Sequence, residues 1–415
     1  MTIKKETITI FIIFVLCSLM GFSTCLAAPL GNIWQNFLGI KSNSFGMFGN
    51  LLCFLPYFLF GYLAGNILEK LGYKKTIIIA FLLGFLGITI QYLSCKNFFL
   101  KFYFSEKLPL SIFIYFLGAF ISGTSNCFIN TLYNPLINHL LGEGNKANSL
   151  NILVCGVNSF SGSIAFFLLG FFRYKNILNL SSISKMLLLV VFIFLITMII
   201  AFFSPIKKIE KSNSNESSLN LKKILSIRHF YLGMIAIFLY MGIEIGLNNY
   251  TRIALNSMNF YHISSFLSGI FIIFMSIGRL IGFFVGQKVS SQILSLFSSF
   301  ICIFLCFLGI FVYKFYNNLT ISVFQYKIPL FAIFFVCCGF FISIFSSSLF
   351  NLSLKGLKSS AEKMSGLFMT MLFGGGLIPI FQSFIFDNFG VIATYFISIF
   401  SFLYLFLYSK FYEKL

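Results

Sequence analysis

Charge is what this sequence has least of. Only 9% of its 415 residues are Asp, Glu, Lys or Arg. A water-soluble domain of this length needs a charged surface, and so meagre a supply excludes one. Acid is the scarcer sign, with 10 acidic residues against 29 basic. Histidine (3), proline (7) and tryptophan (1) are few as well. The ten cysteines sit in apolar stretches and show no ligand spacing with histidine, which predicts buried thiols rather than a metal site. No glycine-rich phosphate loop and no nucleophile elbow occurs. That argues against an ATP-driven pump and against an enzyme, and it implies no cofactor.

Apolar residues are what the chain has in excess, at 59%, with 61 phenylalanines. Runs of about 20 apolar residues cross a bilayer core as helices, because each backbone polar group is then satisfied within its own segment. Twelve such spans can be read, at roughly 10–34, 44–68, 76–95, 110–141, 148–172, 185–204, 230–254, 264–287, 290–313, 329–354, 364–386 and 389–409. Residues 1–28 imitate a cleavable leader, with Lys4, Lys5, an apolar run and then Leu26-Ala27-Ala28. The run continues past 20 residues and an even span count needs it, so it reads as the first span.

The cations sort by side. With the N-terminus inside, 18 of the 29 fall in segments on the cytoplasmic side, ten fall on the other, and Arg279 lies within a span. A net charge of +19 therefore reflects membrane topology, not nucleic-acid binding. The expectation is a protein of the cell (inner) membrane with both termini cytoplasmic.

The longest polar stretch, 206–228, divides the spans six and six and reads as a cytoplasmic linker between halves at 1–205 and 229–415. A short repeat agrees: Gly61, Gly65 and Lys70 recur 217 positions later as Gly278, Gly282 and Gln287. The fold class expected is all-α, with twelve transmembrane helices in two six-helix halves and a site near the midplane between them.

In the fourth span Asn126, Asn130, Asn134 and Asn138 recur every four residues. Four residues turn a helix by about 400°, so the carboxamides drift only about 40° per step and share one face. An unpaired carboxamide is costly in lipid, so this stripe faces protein or water. Two readings stay open, a cavity lining suited to neutral hydroxylated ligands and helix-to-helix hydrogen bonding. Pro135 is expected to bend the helix.

Several of these segments resemble known transporters. Gly61-Tyr-Leu-Ala-Gly65-Asn-Ile-Leu-Glu69-Lys70-Leu-Gly72-Tyr-Lys74-Lys75 resembles the helix 2–3 signature of the major facilitator superfamily. Gly123 through Asn134-Pro135 to Asn158-Ser159-Phe160, Tyr240-Met-Gly242-Ile-Glu244-Ile-Gly246 and Ile277-Gly278-Arg279-Leu-Ile-Gly282 resemble the fucose–galactose–glucose:proton symporter family. So does Leu349-Phe350-Asn351-Leu352-Ser353-Leu354-Lys355-Gly356-Leu357, followed by Gly374-Gly375-Gly376-Leu377-Ile378-Pro379, Gln382 and Asp387. The resemblance implies a sugar carrier working by alternating access, with Glu69 and Lys70 latching the halves and Arg279 anchoring them. That family places an acid late in the first helix and another four residues before the helix 4 Asn-Pro. Here those places hold Gly31 and Asn32, and Asn130.

The candidate substrate contacts are Asn32, Gln35, Asn126, Asn130, Asn134, Asn158, Glu244, Asn248 and Gln382. Glu244 and Arg279 are the two charges deep in the membrane. Counted from the cytoplasmic side, Glu244 lies at roughly 22 Å and Arg279 at roughly 8 Å, a gap that argues against a direct pair. Trp34, at the end of the first span, reads either as an interfacial anchor or as a platform for a sugar ring. The expected activity is passage of a small neutral hydroxylated solute, a monosaccharide, through the bilayer. With no carboxylate in the first six spans, Glu244 is the one candidate proton carrier and proton coupling is doubtful. A drug–proton antiporter and a non-transporting receptor or scaffold are the rival readings; fold alone cannot separate them.

Overall fold

The computed structural model describes residues 2–96, 103–105, 108–141, 145–175, 179–203, 227–286, 288–316, 319–323, 326–354 and 361–412. The first six helices are α1 (Thr2–Phe37), α2 (Asn43–Leu71), α3 (Tyr73–Ser94), α4 (Leu110–Leu141), α5 (Asn145–Tyr174) and α6 (Leu180–Phe203). After the linker come α7 (Arg228–Ser257), α8 (Tyr261–Gly286), α9 (Ser291–Phe315), α10 (Leu330–Ile342), α11 (Phe345–Leu354), α12 (Ala361–Thr370) and α13 (Gly374–Phe411). The linker itself, apart from residues 227 and 228, lies outside the described residues.

These helices make the twelve expected spans. Helices α10 and α11 are one span bent by 40°. The apolar stretch Gly366–Phe411 is 46 residues long, about 69 Å of helix and twice a bilayer core. It folds back at Gly390, whose φ of 81° and ψ of −175° are open essentially to glycine alone. Large apolar side chains such as Phe203, Phe284, Phe300 and Phe400 are exposed, as a lipid-facing surface requires.

Buried apolar side chains gather in two main clusters. One runs from Ile12 to Ala201, and the other from Phe230 to Tyr408 with Phe166 added. A second trace of repetition appears at the face away from the linker. The α3–α4 connection carries the hairpin β1 (Tyr103–Ser105) and β2 (Leu108–Pro109); the α9–α10 connection carries β3 (Thr320–Val323) and β4 (Tyr326–Pro329). Each hairpin ends on a proline directly before the next helix.

Glycine sets how closely the helices approach. A Cβ on Gly123 of α4 would lie 2.1 Å from the carbonyl oxygen of Cys53 on α2, where only backbone could yield. Gly123→Ala is therefore expected to cost about 1–3 kcal/mol through overpacking, read as a lower denaturation midpoint in mixed micelles. Gly156→Ala, with nothing within 4 Å of its Cβ, is the control and should stay close to the parent.

Candidate functional site: a cavity between the two helix sets

A cavity of about 720 Å³ lies between the first six spans and the last six. It opens toward the linker face. Asn151 near the start of α5, Gly286 at the end of α8 and Ser291 at the start of α9 all border it, and these helix ends are on the side where α6 stops and α7 begins.

The far face is shut by contacts between the two sets. Ala28 and Met47 pack with Tyr250 and Ile253. Glycines let α5 and α8 close on each other: a Cβ on Gly170 would meet the ring of Phe266 at 3.1 Å, and one on Gly269 the ring of Phe167 at 2.8 Å. At the rim, the Asp387 carboxylate accepts hydrogen bonds from Asn43 N (2.9 Å), Asn43 Nδ2 (2.6 Å) and Ser42 Oγ (3.2 Å), which ties α13 to the start of α2.

The wall is mostly apolar, set with carboxamides and hydroxyls, and nearly uncharged. Of the predicted contacts, Asn130, Asn158, Glu244 and Asn248 line the cavity. Asn130 Nδ2 donates to the Tyr57 hydroxyl at 2.5 Å, and Asn158 Nδ2 donates to the Cys17 carbonyl at 2.9 Å. Those bonds fix two carboxamides against neighbouring helices and leave their oxygens for other partners. Asn126 behaves differently. It is 2% exposed, donates to Thr24 Oγ1 (3.1 Å) and accepts from Ser23 Oγ (3.3 Å), so it joins α4 to α1. The stripe thus serves both of its possible purposes. The side chains of Asn134 and Asn138 lie outside the described residues.

Three other candidates are packed between helices. Asn32 and Gln35 face α2, where a Cβ on Gly46 would sit 2.2 Å from Asn32 Oδ1 and 2.4 Å from Gln35 Oε1. Gln382 is 1% exposed and donates to Ser398 Oγ at 3.2 Å across the Gly390 corner. Trp34 is 1% exposed, with its ring 6.0 Å from Tyr115 and 5.8 Å from Phe37. It is a core residue, neither interfacial anchor nor cavity platform. Glu69 and Lys70 are exposed near the linker face and pair with no described charge.

The expectation that the two deep charges stand apart is overturned. Arg279 Nη2 lies 3.6 Å from Glu244 Oε1, the one ion pair among the described residues. Depth is better counted from the turn that joins their helices. Glu244 is 13 residues from Ser257 and Arg279 is 18 from Tyr261, a difference of five residues or about 7.5 Å. An arginine side chain spans that. Arg279 Nη1 also donates to the Cys155 carbonyl at 2.8 Å and to Ser159 Oγ, both on α5. The guanidinium therefore links the two helix sets while also pairing with the only described acid in the wall.

Several lining residues escaped the sequence reading, among them Asn50, Asn151, Asn249, Asn351, Tyr57 and Tyr240. Asn50 and Tyr57 are lone polar side chains in apolar runs, and none of the six falls in a helical periodicity that would mark it. Apolar faces complete the wall, including Phe54, Phe271 and Phe368. A cavity that mixes aromatic faces with fixed carboxamides suits a compact ligand with apolar ring faces and hydroxyl edges.

Comparison with known proteins agrees. The profile of the Major Facilitator Superfamily matches residues 10–379. A putative glucose/galactose transporter of Helicobacter pylori is 26% identical over 352 residues, 81% of this chain and 79% of that protein. The crystal structure of an E. coli fucose:proton symporter is similar over 98% of this chain and 99% of that one, with a TM-score of 0.70 at 18% identity. That of a D-xylose-proton symporter covers 97% of each chain, with a TM-score of 0.68 at 12% identity.

Proposed function

Because the chain belongs to the major facilitator superfamily, we propose that it carries a small neutral hydroxylated solute, a monosaccharide, across the cell membrane by alternating access. Residues 1–205 and 229–415 are the two rocking halves, each with its own apolar core, and the linker face is cytoplasmic. One observation carries the substrate class: the cavity wall sets carboxamides and hydroxyls among apolar and aromatic faces, and its single described acid is already paired with Arg279. A net charge on the ligand would find no counter-ion there, whereas sugar hydroxyls find both donors and acceptors. The relative described as a glucose/galactose transporter supports the same class.

Uptake of a radiolabelled panel by the reconstituted protein tests this. D-Glucose, D-galactose, L-fucose and D-xylose are compared with ethidium in proteoliposomes. Saturable uptake of at least one sugar, competed by its unlabelled form, is the expected result. Ethidium flux without sugar uptake would make the protein a drug carrier; saturable sugar binding without flux would make it a receptor.

A further inference from the structure

Asn50 is 1% exposed yet borders the cavity. Its amide is half used. Nδ2 donates to the Gly375 carbonyl at 2.8 Å, from the second span to the eleventh, and Oδ1 is buried without a partner among the described residues. A buried carboxamide oxygen left unpaired is costly, so its place beside the cavity calls for a reason.

The surroundings supply one. Gly375 and Gly376 let α13 press against α2: a Cβ on Gly375 would lie 2.9 Å from the Phe54 ring, and one on Gly376 would lie 2.9 Å from Phe54 Cβ and 3.1 Å from Leu51 Cα. The same seam runs outward to the rim, where Asp387 holds Ser42 and Asn43. Asn50 thus stands at the inner end of the α2–α13 seam that shuts the far face, with a buried, unpaired acceptor in a residue that borders the solute site.

We infer that Asn50 reports the occupancy of the cavity to the far-face seam. A hydroxyl of the bound solute donates to Oδ1, and the bond from Nδ2 to Gly375 tightens in response. The link is electronic. An amide that accepts at oxygen is more polarised and donates better at nitrogen, and hydrogen bonds in series strengthen one another by about 10–30%. Loading from the linker face therefore holds the far face closed, and the emptied carrier reopens there more readily than the loaded one. This rests on the protein being a carrier of hydroxylated solutes, and it gives that site a way of being read across the two halves.

Hydrogen–deuterium exchange of the full chain in nanodiscs tests it, with or without saturating D-glucose or D-galactose, followed in peptides covering 40–48 and 384–392. In the parent, sugar should slow exchange in both by up to about twofold, the high end for such a strengthening of one amide bond. Asn50→Leu should exchange faster without sugar and show no response to it. Asp387→Asn, which loosens the rim without touching the cavity, should exchange faster but keep its sugar response. If Asn50→Leu does not fold, Asn50→Ser, too short to reach Gly375, takes its place.

A sugar response that persists in the Asn50 variant overturns the inference, as does unsugared exchange in that variant equal to the parent's. A parent that takes up sugar but shows no response overturns the sensing role alone. A parent that neither responds nor transports any sugar of the panel overturns the solute class as well.

Discussion

Arg279→Gln is expected to destabilise the purified protein by about 3 kcal/mol, and Glu244→Gln by about half as much. The asymmetry follows from what each substitution leaves behind. Without Arg279, the Glu244 carboxylate keeps only the neutral Tyr240 hydroxyl beside it, and its Oε2 is already buried and unpaired. Without the Glu244 charge, Arg279 keeps two acceptors on α5. The side chains retain 10% and 19% exposure, so the cost lies at the low end for a broken buried pair. Combining the two substitutions should recover part of the loss, because removing both charges leaves neither one stranded. Denaturation of all four proteins in mixed micelles reads the cycle. Strictly additive losses would mean that the pair is not coupled.

The second large effect concerns driving force. Sugar uptake by the parent is expected to equilibrate across the membrane and to ignore an imposed pH gradient. The first six spans place no described acid in the cavity wall, and the one acid in the last six is engaged with Arg279. For Glu244 to carry a proton, each cycle would have to strip a guanidinium of its counter-ion inside the membrane, leaving it only the neutral acceptors of α5. The solved structures similar to this chain are described as proton symporters, so the contrast is measurable. Proteoliposomes acidified outside and loaded with buffer inside should show no overshoot above the equilibrium sugar level. An overshoot that disappears in Glu244→Gln, while sugar exchange persists, would make Glu244 the coupling residue instead. An overshoot that survives Glu244→Gln would place coupling on a group that neither account includes.

The helical class and the number of spans could be read from residue order, because membrane crossing depends on length and polarity alone. Which side of a helix meets which neighbour could not. Asn130 and Asn126 sit on one face of α4 a single turn apart, yet one lines the cavity and the other is spent on Thr24 and Ser23. Asn32 and Gln35 looked like an outer rim of the site, but Gly46 draws α2 over them. A small residue opposite a polar one is a signal that a sequence does contain; it cannot be used until the facing helices are known. Asn50 went unnoticed for the same reason, since its meaning depends on Gly375, 325 positions away. The Glu244–Arg279 pair was misjudged because depth was measured from span ends on one side and not from the turn that joins the two helices.

The two hairpins at the far face bear on how the protein sits in the bilayer. Strand pairing satisfies the inward-facing backbone groups of each hairpin, and the outer edges need water or headgroups as partners. Around the second one, Leu319, Ile321 and Tyr326 are each more than 40% exposed, an apolar and aromatic fringe of the kind that settles at the water–lipid boundary. Each hairpin feeds through a proline into a long helix, Pro109 into α4 and Pro329 into α10. The second half thereby carries a buoy at the boundary. Tilt of that half during rocking is then referred to the membrane plane, and a change in bilayer thickness acts on it through this attachment.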